Sequence, residues 1–274
     1  MTKDPFYVRF LYGTRVGAAL LKRLTHPRFS RRAARFLDSA GSRWLVPFYI
    51  RLHHISMESY APARYGSFNQ FFTRKRDSRY MDIDQDPSHL VSPCDGYLTA
   101  YPIGKGSRFH VKHITYSLAK LLRNPQLAAK YEGGLCLVFR LAPYNYHRYC
   151  YPDSGKVVQN VSLPGVLHCV RPTALQCRPV YLENSRQYTL ADTENFGPLI
   201  QMEVGALMVG KIHNHKNQGA IKRGMEKGYF AFGGSTVILL LKKGAVDVNP
   251  RIWENSQAGE ETPVIYGEWV GTRV

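Results

Sequence analysis

The chain has 274 residues, 44% hydrophobic and 12% aromatic, which is enough for a large packed core and excludes a disordered polymer. Lys and Arg outnumber Asp and Glu by 37 to 20, and no apolar run is long and uncharged enough to cross a bilayer as a helix. The five cysteines (Cys94, Cys136, Cys150, Cys169 and Cys177) form no CxxC pair, which argues against a disulfide framework or a zinc cluster and for a reducing compartment.

In chain order, residues 6–24, "FYVRFLYGTRVGAALLKRL", space apolar residues at helical intervals with Arg9, Arg15, Lys22 and Arg23 between them. Residues 30–56 read as two helices broken near Gly41, with Pro47 bending the second. A short capped helix follows in "YGSFNQFFTRKRDSRY". Residues 1–80 hold sixteen Lys/Arg against four Asp/Glu, twelve of the seventeen net positive charges, with aromatics interleaved. That make-up suits an amphipathic surface for a polyanionic partner: an anionic membrane face, or nucleic acid. No helix-turn-helix, zinc-finger or RNP-like pattern supports nucleic acid. No secretory cleavage pattern is read at the N-terminus.

Beyond Asp84 the chain turns to strands. "GYLTAYPI", "GGLCLVFRLAP", "SGKVVQNVSLPGVLHCV", "PLIQMEVGALMVGKI" and "STVILLLKKG" are apolar runs punctuated by Gly and Pro, with one helical interlude, "SLAKLLRNPQLAAKY". The expected fold is α+β: a mixed, barrel-like β core over residues 61–274 carrying a helical, membrane-associating appendage over residues 1–60.

Three stretches combine reactive side chains with unusual backbone. "SPCDG" places Asp95 before Gly96, which alone is a common turn. "LAPYNYHRYCYP" crowds His147 with tyrosines. "GYFAFGGSTVILLL" sets Gly233 and Gly234 against Ser235 and Thr236. Asp, His and Ser can form an orienter, a base and a nucleophile, although no GxSxG elbow surrounds Ser235.

Five stretches in order, "SFNQFFTRK", "LVSPCDG", "FRLAPYNYHRY", "VGALMVGKI" and "EKGYFAFGGSTVILLLKKG", together resemble phosphatidylserine decarboxylase from about residue 60 to the end. The resemblance implies a proenzyme that cuts itself between Gly234 and Ser235, giving a β chain of residues 1–234 and an α chain of residues 235–274. Ser235 becomes a covalent pyruvoyl group, whose ketone is the electron sink for converting phosphatidylserine to phosphatidylethanolamine and CO2. No pyridoxal phosphate or metal is implied. The catalytic residues carried over are Asp95, His147 and Ser235, with His147 as the proton donor near substrate. The resemblance also implies a peripheral protein on the cytoplasmic face of the cell membrane, with phosphatidylserine in the anionic bilayer as partner; homodimerisation is left open.

The chain departs from the family pattern at two places. Asn145 stands where an Asp is usual, and Cys150 where a second His usually relays the proton for self-cleavage. A thiol of ordinary pKa is a poor acceptor. Three accounts stay open: His147 serves both steps, His168 in "VLHCV" takes the vacant role, or the protein is a degenerate relative. Decarboxylation of a soluble amino acid is the alternative activity.

Overall fold

The computed structural model describes residues 6–25, 27–60, 63–111, 113–206, 212–215, 218–233 and 235–274. Gly234, on the amino side of the expected scission, and residues 207–211 of "VGALMVGKI" lie outside the described residues.

Five α-helices come first: α1 (Phe6–Gly13), α2 (Arg15–Leu24), α3 (Pro27–Asp38), α4 (Leu45–His53) and α5 (Phe68–Phe72). The helical spacing over 6–24 is realised as two helices, because Thr14 adopts extended backbone and caps α2 through a hydroxyl that accepts from the Gly17 amide. Pro47 falls in the first turn of α4, where a missing N–H breaks no helical bond, so it does not bend the helix. Ser67 caps α5 by accepting from Gln70 N.

The β core is an eight-stranded sheet. Its strand order is Gly219–Ile221, Gly155–Leu163, Arg186–Thr193, Gly197–Val204, Ser235–Leu241, Leu135–Leu141, Gly96–Pro102 and Thr262–Val264, every neighbouring pair antiparallel. The expected barrel is therefore corrected to an open sheet. Its outer strands, Gly219–Ile221 and Thr262–Val264, are three residues long and pair with the sheet on one edge only. Closure would require those edges to meet.

The central strand, Ser235–Leu241, is buried along its whole length, which explains its unbroken apolar run. Ile238 and Leu240 pack on one face with Val138 and Met202. Val237, Leu239 and Leu241 pack on the other with Phe139 and Leu141. Two three-stranded sheets and a two-stranded pair accompany it, one of the former joining Arg148–Cys150, Glu226–Phe230 and Ile212–Asn214.

The N-terminal helices rest on this core. Tyr12 Oη accepts from the Cys169 amide at 2.8 Å, and Tyr49 Oη donates to the Pro143 carbonyl at 2.9 Å. Leu37 and Val46 share a cluster with Phe68, Phe71 and Phe72. Among the described residues no helix is long and apolar enough to cross a membrane.

Candidate active site

Ser235 opens the central strand, opposite Leu141 in the register. By strand alternation its side chain shares the face of Val237 and Leu239, which packs with Phe139 and Leu141. It is fully buried, and its Oγ has no hydrogen-bond partner. A buried hydroxyl left unpaired costs about 1–3 kcal/mol, so the fold holds this one at an expense. Gly233 has φ +131°, a conformation that L side chains rarely adopt, which accounts for glycine beside the hydroxyl pair.

His147 stands against the segment leading to Ser235. Its carbonyl accepts from Phe230 N at 2.9 Å, and its ring lies 4.1 Å from that of Phe72. Nδ1 lies 2.9 Å from the Asn145 carbonyl, so Nδ1 carries the proton and Nε2 the free lone pair. Nε2 is buried with no partner in hydrogen-bond geometry, although the Gly233 backbone stands close enough to act on the ring. Burial pushes the imidazole down to about 3; the Asn145 and Gly233 backbone opposes the fall in part, and Arg74 adds to it. The ring is neutral at physiological pH.

Asp95 reaches His147 through the backbone. Its carboxylate accepts from Arg76 Nη2 at 2.8 Å and Nη1 at 3.4 Å, from Tyr266 N at 2.9 Å and from Tyr146 N at 3.4 Å. Four donors fill the four lone-pair positions of a carboxylate. The structure thus fixes the residue preceding His147 on Asp95, and gives the carboxylate an arginine where an orienter of imidazole was expected. Gly96 lets this strand approach its neighbour: a Cβ there would sit 2.8 Å from the Arg140 carbonyl.

Cys150 is buried among Tyr60, Tyr146 and Tyr266, and burial pushes its thiol up to about 12. His168 lies across the sheet from the Ser235 hydroxyl. Its neighbours Val170 and Cys169 belong to the opposite core, and its ring nitrogens meet Tyr12 Oη at 3.4 Å and Glu183 at 3.1 Å.

Four residues escaped sequence reasoning. Asn69 of α5 accepts from Phe232 N at 3.1 Å and donates to Asp38 of α3 at 2.6 Å, tying the segment before Ser235 to the helices. Arg76 pairs with Asp95. Glu203 and Lys227 form a fully buried pair at 2.7 Å on the Ser235 face of the sheet. An acid inside the apolar run "PLIQMEVGAL" was the available signal for the last. Beside the site, α3, α4 and α5 enclose an apolar pocket of about 300 Å³ whose lining includes Phe36, Leu37, Phe48, Tyr49, Phe68 and Phe232.

The sequence profile of phosphatidylserine decarboxylase matches residues 68–271. The chain belongs to this family. It is 41% identical to "Phosphatidylserine decarboxylase proenzyme 2" of Clostridium acetobutylicum over 265 residues, covering 96% of this chain and 91% of that protein. It is 37% identical to the phosphatidylserine decarboxylase proenzyme of Clostridium novyi over 274 residues, covering 98% and 93%. A Clostridium botulinum (strain 657 / Type Ba4) proenzyme is 38% identical over 273 residues, covering 97% and 92%. The family match includes Asn69, Asp95, His147, Glu203 and Ser235, while α3 and α4 lie before its first residue.

Proposed function

We propose that the chain decarboxylates phosphatidylserine to phosphatidylethanolamine and CO2 after cutting itself between Gly234 and Ser235. The observation that carries this reading is the unpartnered Ser235 hydroxyl, buried at the first residue of the central strand beside His147, in a chain matched by the family along its core. The relatives are named proenzymes, and two products, residues 1–234 and 235–274, follow from a cut at this bond.

The residues present fit a pyruvoyl group at position 235. Position 235 is buried, and His147 Nε2 is buried without a partner close to the Gly233 backbone. When formed, that group supplies a ketone able to draw electrons from the bond to the leaving CO2. The side chains do the rest. His147, whose Nε2 is the free ring position, would be the group that relays a proton at substrate Cα. The apolar pocket ending at Phe232 receives acyl chain, and the basic, aromatic helices hold the protein on the anionic leaflet of the cytoplasmic face, each Lys or Arg near it contributing about 1 kcal/mol.

The test is intact-mass analysis of the purified chain with product analysis on phosphatidylserine vesicles. Two fragments, the smaller without a free N-terminal amine, and release of phosphatidylethanolamine are expected. Ser235→Ala stays one chain and is inactive. A wild-type chain that remains whole overturns the reading, as does conversion of free serine in preference to the lipid.

A further inference from the structure

Self-cleavage needs an acceptor for the Ser235 hydroxyl proton, and the expected groups are poorly suited. Asp95 has its four positions filled, Cys150 is a buried thiol, and His147 is a weak base held neutral. Glu203 is different. It is fully buried in the strand beside Ser235–Leu241, with Oε2 held 2.7 Å from Lys227 Nζ and 2.9 Å from Asn214 Nδ2, while Oε1 has no hydrogen-bond partner. Glu203 stands opposite Val237 in the register. Ser235, two residues earlier, therefore projects from the same face one diagonal step away, roughly 7 Å between Cα atoms. A buried donor without an acceptor and a buried acceptor without a donor occupy neighbouring positions of one face.

The geometry points to Glu203, held by Lys227 and Asn214, as the carboxylate that accepts the Ser235 hydroxyl proton during self-cleavage, directly or across one bridging water. The Oγ–H bond breaks toward Glu203 as Oγ bonds to the Gly234 carbonyl carbon. The C–N bond to Ser235 then breaks, and the same proton passes from Glu203 to the departing nitrogen. An ester and a free amine result, with no further reactant consumed. Burial pushes the Glu203 carboxyl up and the Lys227 ammonium down, and the charge of each opposes the other's shift. Tyr149 and Cys94, which also face Glu203, are pushed far above neutrality by burial and stay uncharged.

The inference rests on the self-cleavage proposed above, and one time course separates the two. The freshly translated full-length chain is followed by intact mass. No cleavage in wild type defeats the functional reading itself. With wild type cleaving, Glu203→Gln is expected to cleave at least about 100-fold more slowly, the scale of a lost general base. Hydroxylamine, which releases fragments from an accumulated ester, is expected not to restore it. The wild-type rate falls at acid pH with a single titration that the residual rate of Glu203→Gln lacks. Cleavage of folded Glu203→Gln within threefold of wild type overturns the proposal. If that variant does not fold, Glu203→Gln/Lys227→Met removes both charges, and its cleavage at the wild-type rate is equally fatal. If the same changes also prevent the uncleavable Ser235→Ala chain from folding, the pair is scaffold and the proposal falls.

Discussion

Cys150 packs against three tyrosines, its Sγ 3.9 Å from the Ser92 carbonyl, in space shaped for a thiol. An imidazole placed there overfills the pocket and finds Asp95 already saturated. Cys150→His is therefore expected not to speed self-cleavage, and to lower stability by about 1–3 kcal/mol in urea unfolding. Acceleration of cleavage by that variant would show that Asp95 releases Arg76 to take up a histidine. His147 makes a second prediction at this scale. Its pKa falls from 6.5 in the unfolded chain to about 3 in the folded one. Between those values the unfolded state binds the proton that the folded state refuses, so this contribution is present in full above pH 6.5 and is lost as pH falls toward 3. The slope reaches at most about 1.4 kcal/mol per pH unit. Urea unfolding of the uncleavable Ser235→Ala chain from neutral pH down to about pH 4 should show declining stability, and adding His147→Gln should flatten the decline. Ser235 and His147 could be read from sequence because their motifs are local. The Asp95–Arg76 and Glu203–Lys227 pairs could not, because each joins segments 19 or 24 residues apart whose meeting depends on sheet packing.

Helix α4 shows how an element faces two ways. Val46 and Tyr49 turn inward, Val46 into the cluster with Phe68 and Tyr49 onto Pro143. Trp44, Phe48 and Leu52 are spaced four apart along the other side and are 66%, 60% and 57% exposed. A solvent-facing apolar stripe flanked by Arg43 and Arg51 suits insertion among lipid headgroups. Replacing all three with serine is expected to weaken binding to phosphatidylserine-containing vesicles at least tenfold in sedimentation, with the fold intact by circular dichroism. Wild-type binding should also weaken as salt rises, since the surrounding charge is screened. Unchanged binding by the triple variant would remove α4 from the interface. The strands were legible as apolar runs bounded by Gly and Pro, the Ser235–Leu241 run most clearly. Sheet closure was not: alternation and turns specify strands and their faces, while open and closed sheets differ only in whether the two edge strands meet.

The scission proposed at Ser235 falls in the middle of the molecule, and this sets what maturation can do to the whole. Residues 235–274 supply the central strand, hydrogen-bonded to Gly197–Val204 on one side and to Leu135–Leu141 on the other. They also supply Thr262–Val264 at the edge of the same sheet, and both Val246–Val248 and Trp269–Arg273 of a second sheet, where Trp269–Arg273 pairs with His89–Val91. Val237, Ile238, Leu239, Leu240 and Leu241 are completely buried, each worth about 2 kcal/mol of transfer from water. Cutting ahead of this strand creates two new chain ends but breaks none of these pairings. The two fragments are therefore expected to co-elute in size exclusion under native conditions, to separate only in denaturant, and to unfold in one transition seen alike by fluorescence and circular dichroism. Dissociation of the smaller fragment at micromolar concentration without denaturant would mean that the strand is not held as the register requires.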